Sequence, residues 1–362
     1  MEDFANAGLL VRHTNLKSKC WVVRPGSRYR FINDFLDRGC IAMAHLDDAY
    51  LDSAELEKLR TAEGEAVYSF CDELPTKLTI NTRGQVLAFI REMEVGDVVF
   101  TLSGANVYPG IITGNPYAVN DNFSDAERFS IRRDVSWGDP IDRGHIPVTL
   151  TKSFHAYQAV FSLGEKSKEI HHWLNAFFVS NETYYSSLRV NQPGDLSHHS
   201  LKNLSEIMDR LQVLSLMVGD NKIDDSTHVD LNLLLKQMRV FGDEGRLVLT
   251  SQQAVMSPGD LWYGFKTGSR RAGVAFLLGA AMLFNQQIAF ADSELETIRQ
   301  EIAPIMQEHI ATLQKDVDLP AVQRSLLVKP ASQNRSFVDH AADNLAESRQ
   351  LPKDGAPRHS TR

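Results

Sequence analysis

The chain has 362 residues, a net charge of −8, 43% hydrophobic and 23% charged residues, a globular composition with length enough for two domains. Its acidic balance excludes coating of nucleic acid through overall charge, while a local basic face stays open. The three cysteines, Cys20, Cys40 and Cys71, are odd in number and widely spaced, which argues against a disulfide framework or a metal knuckle and for reduced thiols in a cytoplasmic protein.

The first residues, MEDFANAGLL, have neither the basic n-region nor the long apolar h-region of an export signal, and a cytoplasmic location is expected. Residues 12–38 then carry Arg12, Lys17, Lys19, Arg24, Arg28, Arg30 and Arg38 against Asp34 and Asp37. This is either a phosphate-facing patch or a solvated face. Strand signals dominate the first half: CWVVRPG, GCIAMAHL, the pair DVVFTL and YPGIITG around a Ser-Gly-Ala-Asn turn, FSIRRDVSW and YQAVFSL. Two helical patterns lie between them, RFINDFLDRG stopping at Gly39 and TRGQVLAFIREME with an apolar face of Val86, Leu87, Phe89, Ile90 and Met93. Short strands with few helices between them predict a small bent β-barrel over residues 1–164.

The second half reads as mainly helical, with an α-rich effector or oligomerisation domain expected over 165–330. SLKNLSEIMDRLQVLSLMVG and HVDLNLLLKQMRVFG are amphipathic and stop at Gly219 and Gly242, and GRLVLTSQQAVMSPGDL is strand-like. Pro-Gly-Asp-Leu occurs twice, at 193–196 and 258–261, each time predicting a turn in which Asp caps the next element. The most apolar run, AGVAFLLGAAMLF at 272–284, spans about 20 Å as a helix, short of the ~30 Å of a bilayer core, and is expected to be a buried helix. SELETIRQEIAPIMQEHIATLQKDV predicts one more amphipathic helix, and the polar residues 331–362 a mobile tail. The whole is an α+β chain.

Familiar catalytic motifs are missing. No phosphate-binding glycine loop and no Gly-x-Ser-x-Gly elbow occurs. The pairs His171-His172 and His198-His199 are adjacent, so their side chains diverge, and no metal site is expected. Acids such as Asp243, Glu244 and Asp260 are not followed by a Glu-x-Lys strand that would hold magnesium beside them. The aromatics are more informative. Trp21, Phe31, Tyr108, Tyr117 and Trp137 fall at or near strand ends among Arg24, Arg28, Asn106, Arg132 and Arg133, a mixture that either holds a planar base and its phosphates or fills a small barrel core.

Five ordered blocks, WVVRPGSRYRFINDFLDRGCIAMAH, GQVLAFIREMEVGDVVFTL, YPGIITGNPYAV, RRDVSW and SFHAYQAVFSL, resemble the N-terminal module of Mrr-like restriction proteins, itself similar to the EVE domain of the PUA-like superfamily. The resemblance spans residues 18–164 and implies a bent barrel that recognises modified bases in DNA or, in some relatives, RNA. By position it aligns Arg24 and Gly26 with the family's Arg-x-Gly, Gly96 and Asp97 with its turn into the central hairpin, Gly114 and Tyr117 with its Thr-Gly-x-Tyr, and Arg132, Arg133 and Trp137 with its Arg-Arg-x-x-x-Trp. His45 stands where the family has Trp.

The base-binding set expected from these readings is Trp21, Arg24, Arg28, His45, Asn106, Tyr108, Tyr117, Arg132, Arg133 and Trp137. The leading expectation is a protein that binds a modified base in DNA, or a nucleotide, in defence against foreign DNA. It would need no cofactor and could form a homo-oligomer through the second half. The alternatives are a modification-dependent restriction endonuclease with a diverged, magnesium-dependent catalytic domain, and a membrane-acting effector using residues 272–291.

Overall fold

The computed structural model describes residues 9–124, 128–224, 226–254 and 259–331. The tail expected from residue 331 lies, beyond Ala331, outside the described residues. Among the described residues the chain divides into two compact bodies, one formed by Ser18–His145 with Lys152–Lys166, the other by residues 9–17, Ile146–Thr151 and residues 167–331.

The first strand, β1 (Leu9–His13), belongs to the second body. The first body opens with β2 (Cys20–Val23), α1 (Ile32–Asp37) and β3 (Cys40–Met43), followed by α2 (Ser53–Thr61), α3 (Gly64–Glu73) and α4 (Ile80–Leu87). It continues with β4 (Val98–Leu102), β5 (Asn106–Ile112), β6 (Tyr117–Ala118), β7 (Ile131–Trp137) and β8 (Ile141–Asp142). After α5 (Val148–Thr151), which lies in the second body, β9 (Val160–Ser162) completes the sheet.

The strands join in the order β3-β7-β5-β4-β2-β9, with β6 added to β7 and β8 to β5. Among the described strands of this sheet, only β2 and β4 run parallel. The sheet curls into a half-barrel that does not close, in place of the barrel expected, and β3 and β9 end the path. The bend needs Gly110 on β5, because a Cβ there would lie 2.5 Å from Val135 Cγ1 and 2.6 Å from the Trp137 ring. α1 stops at Gly39, whose φ of 59° is the left-handed turn that glycine adopts without steric cost. α4 runs into a wider π-type turn at Ala88–Glu92, and its apolar side, with Val86, Phe89 and Ile90, is buried with Phe35, Ile41 and Val99.

The helix α3 has no counterpart in the strand-dominated sequence reading, while α2, whose LEKL near residue 57 reads as exposed helix or linker, opens on a full capping box. Glu55 N–H donates to the Asp52 side chain at 2.7 Å, and Asp52 N–H donates to Glu55 at 3.0 Å.

The second body contains α6 (Ser167–Leu174), β10 (Phe177–Ser180), β11 (Thr183–Val190), α7 (His198–Gly219), α8 (Leu231–Asp243), β12 (Leu249–Ala254) and β13 (Gly259–Lys266). It ends with α9 (Arg270–Leu283), β14 (Ile288–Phe290), α10 (Ser293–His309), α11 (Leu319–Leu326) and β15 (Val328–Pro330). Its helices enclose a sheet ordered β12-β13-β11-β10-β1-β14, with β15 on β11. Strand β1 sits between β10 and β14, parallel to both.

The apolar run at 272–284 is the buried helix α9, pressed between α7 and the sheet. Added Cβ atoms would meet Leu211 Cδ1 at 2.4 Å from Gly279 and the Tyr184 ring at 2.0 Å from Gly273. No helix among the described residues is long and apolar enough to cross a membrane. The two Pro-Gly-Asp-Leu copies part ways. Ser197, and not Asp195, caps α7 by accepting from Ser200 N–H, while Asp260 and Leu261 lie inside β13; Pro258 lies outside the described residues.

Candidate base-binding cavity

In the first body β2 ends at Arg24-Pro25-Gly26, and the chain then folds back on itself. Gly26 has φ 74°, and a Cβ there would lie 2.5 Å from the Phe31 ring. Gly26 N–H donates to Arg24 C=O at 2.9 Å and Phe31 N–H to Pro25 C=O at 3.0 Å. Arg28 and Tyr29 follow with φ of 54° and 62°, a conformation that side-chain-bearing residues seldom adopt. This reversal brings Arg24, Arg28 and Tyr29 to one wall of a cavity of about 520 Å³, a volume in the range of small-ligand sites. Met43 at the end of β3, Ala44 and His45 after it, and Tyr157 before β9 also line the cavity, with Phe129 beside them.

Arg24 is held firmly. Its Nη2 donates to Phe154 C=O at 3.2 Å and to Ala156 C=O, and its Nη1 to the Tyr29 hydroxyl at 3.3 Å. Its backbone N–H donates to Ala159 C=O at 2.8 Å and so fixes the end of β2 against β9. Gln85 serves the opposite wall, its Oε1 accepting from Ala159 N–H at 2.9 Å and Val160 N–H at 3.0 Å. His45 is half-buried. Burial lowers its pKa against the opposing pull of Gln85 and Asp47, so it is a neutral imidazole at neutral pH. Phe129 stacks on Phe123 with ring centres 5.0 Å apart and meets Phe31 edge-on at 4.9 Å, while Tyr157 stands fully in solvent. The cavity thus offers arginine nitrogens beside aromatic faces.

The residues expected from sequence divide. Arg24, Arg28 and His45 come together at the cavity. Trp21 is buried on β2 and donates Nε1–H to Asp97 Oδ2 at 2.8 Å. Asn106 closes the β4–β5 hairpin, its N–H donating to Ser103 Oγ at 3.1 Å, and Tyr108 lies two residues along, across from Thr101. Tyr117 donates its hydroxyl to Asp134 at 2.7 Å, and burial together with that carboxylate raises its pKa. Arg132 grips both Asp121 oxygens at 3.1 and 2.9 Å.

Arg133, 1% exposed, donates to Phe89 C=O at 2.7 Å, Ile90 C=O at 3.0 Å and Gly114 C=O at 3.2 Å. It thereby satisfies carbonyls of the π-type turn, and burial depresses its pKa to about 10. Trp137 donates Nε1–H to Phe35 C=O at 3.0 Å. These arginines and indoles make internal hydrogen bonds and lie outside the cavity lining. Tyr29, Phe129 and Tyr157 line it without having been singled out, although Tyr29 and Tyr157 both lie within the ordered blocks that carry the family resemblance.

In the second body His172 is buried, stacked on Trp262 with ring centres 4.4 Å apart, and its Nδ1 lies 2.7 Å from Ser187 Oγ. Asp243 ends α8, Glu244 pairs with Arg246 at 3.4 Å, and Asp260 on β13 lies 4.0 Å from Arg189. Among the described residues no group of three or more His, Cys, Asp or Glu is placed to hold a metal ion. The chain matches no protein-family model, no curated protein and no solved structure.

Proposed function

We infer that the first body is an EVE-like, PUA-like reader that takes a nucleobase into the Arg24–His45–Tyr157 cavity, and that the protein uses it to recognise a modified base in foreign DNA. The observation that carries this reading is the cavity itself: two arginines, Arg24 and Arg28, that no carboxylate pairs among the described residues, lining it together with the half-buried ring of Tyr29 and the exposed ring of Tyr157, with the buried Phe129 beside them. Aromatic faces favour a planar base, each stacked base being worth roughly 1–3 kcal/mol, and arginines favour the phosphates next to it. The five ordered sequence blocks support the same reading, and nine of the cavity residues, Arg24, Arg28, Tyr29 and His45 among them, lie in the first of them.

The second body, with its buried α9 and seven-stranded sheet, is the effector or assembly half in this scheme.

The test is equilibrium binding of the full chain to short duplexes and single strands carrying modified or unmodified cytosine, at two salt concentrations. Two or three phosphate contacts give a salt slope of about −1.4 to −2 on a single strand. Preference for a modified base, with affinity for modified and unmodified strands alike weakened in Arg24→Ala, supports the reading. Absence of binding at low salt refutes it.

A further inference from the structure

Tyr29 lies where two arginines end on one oxygen. Its hydroxyl accepts hydrogen bonds from Arg24 Nη1 at 3.3 Å and Arg143 Nη1 at 3.4 Å. The hydroxyl proton itself has no acceptor among the described residues. Several other arginines of the first body are matched with carboxylates, among them Arg38 and Arg132 with Asp121, and Arg83 with Asp72. Neither Arg24 nor Arg143 has such a partner among the described residues. Two guanidiniums converging on a neutral oxygen repel each other, and an arriving anion relieves that repulsion. Tyr29 responds to this field. Burial works against ionisation, but hydrogen bonds from Arg143 and Arg24 and their charges outweigh it and lower the hydroxyl's pKa. The reversal that aims Tyr29 here holds two successive non-glycine residues at positive φ, a conformation that side-chain-bearing residues seldom adopt.

We propose that Tyr29 and Arg24 of the cavity lining, with Arg143 reaching the Tyr29 hydroxyl from outside that lining, form an oxyanion subsite at the cavity's edge, so that its ligand is a phosphate-bearing nucleotide and not a bare base or nucleoside. The two arginines supply charge and the tyrosine donates its proton to a phosphate oxygen, a charge-assisted hydrogen bond. The nucleotide identity rests on the base-reading function above; the anion subsite does not. The phosphate can belong to a free mononucleotide or to a strand, and the experiment separates these.

The full chain is titrated calorimetrically with a deoxynucleoside, its 5′-monophosphate, inorganic phosphate and a short single strand, using wild type, Tyr29→Phe and Arg143→Gln. The monophosphate is expected to bind about tenfold or more tighter than the nucleoside, the effect of one charge-assisted hydrogen bond. Both variants are expected to lose that advantage, and Arg143→Gln, whose side chain lies outside the cavity lining, to keep nucleoside affinity within about twofold. Strand binding without mononucleotide binding, weakened by both variants, keeps the subsite and makes the phosphate a backbone one.

A second readout needs no variant to fold: ligand-difference alkaline absorbance of the wild type is expected to show tyrosine ionisation moved to higher pH by bound phosphate. Equal affinity for nucleoside and monophosphate overturns the subsite and leaves base reading standing. Competitive inorganic phosphate binding, with no gain from a base, overturns base reading and keeps the subsite. No binding by any probe overturns both.

Discussion

Asp97 is the residue through which the Gly96-Asp97 turn supports the half-barrel, and its removal makes a sharp prediction. The side chain is 5% exposed. Oδ2 accepts from Trp21 Nε1–H at 2.8 Å and Glu94 N–H at 3.0 Å, and Oδ1 accepts from Lys19 N–H at 3.0 Å. One buried carboxylate thus joins the start of β2 to the turn before β4. Asp97→Ala leaves three donors without an acceptor. Hydrogen bonds to a charged group contribute about 1.5–3 kcal/mol each, and since three bonds to one group are not additive, a loss of about 3–4 kcal/mol is expected. Asp97→Asn retains one oxygen and can keep the two bonds at the Oδ2 position, so its cost is about 1–2 kcal/mol.

Hydrogen exchange followed by mass spectrometry on peptides covering 18–23 and 96–102 reads this body alone. Protection there should fall by about 10²–10³-fold in Asp97→Ala and by about tenfold in Asp97→Asn. Protection unchanged in both variants would refute the assignment of Asp97 as the joint between these strands.

Gly273→Ala should destabilise the second body by about 1–3 kcal/mol or more, because the new methyl would sit 2.0 Å from the Tyr184 ring; an unchanged urea midpoint would contradict the close approach of α9 to β11. His171, fully buried on α6, has its pKa lowered by burial from 6.5 to about 4. The unfolded chain therefore binds the extra proton first: stability present above pH 6.5 is lost as pH falls toward 4, by about 3 kcal/mol. Urea titrations at pH 7, 5.5 and 4.5 that show a flat profile would refute this. His45→Trp restores the aromatic of the resembled family at the cavity wall and should tighten base binding by about 1–3 kcal/mol; unchanged affinity would place His45 outside the contact surface.

Much of the half-barrel was legible because its signals are local. DVVFTL and YPGIITG became β4 and β5 around the expected turn, and RFINDFLDRG became α1, ended by the left-handed Gly39. The 272–284 run was readable as a buried helix because it is too short for a bilayer. What stayed hidden depends on distant parts of the chain. Nothing in Leu9–His13 announces that it lies between β10 and β14, residues more than 160 and 270 positions away.

Function was harder to read for the same reason. Arg24, Arg28, Arg132 and Arg133 look alike in sequence, yet Arg132 meets Asp121 and Arg133 meets the carbonyls of the π-type turn away from the cavity, while Arg24, itself anchored on the Phe154 and Ala156 carbonyls, and Arg28 border the cavity. A charged residue's partner decides its role, and the partner is set by the fold. Tyr29 escaped notice because its significance comes from Arg143, 114 positions away.

The central claim is that a base enters the Arg24–His45–Tyr157 cavity. Photocrosslinking with a short single strand carrying a thio-substituted base, with the crosslinked peptides mapped by mass spectrometry, tests it most directly. The account predicts crosslinks within residues 24–29, 42–45 and 157–160, suppressed by Arg24→Ala. Crosslinks confined to other peptides, or an undiminished yield in that variant, would contradict it.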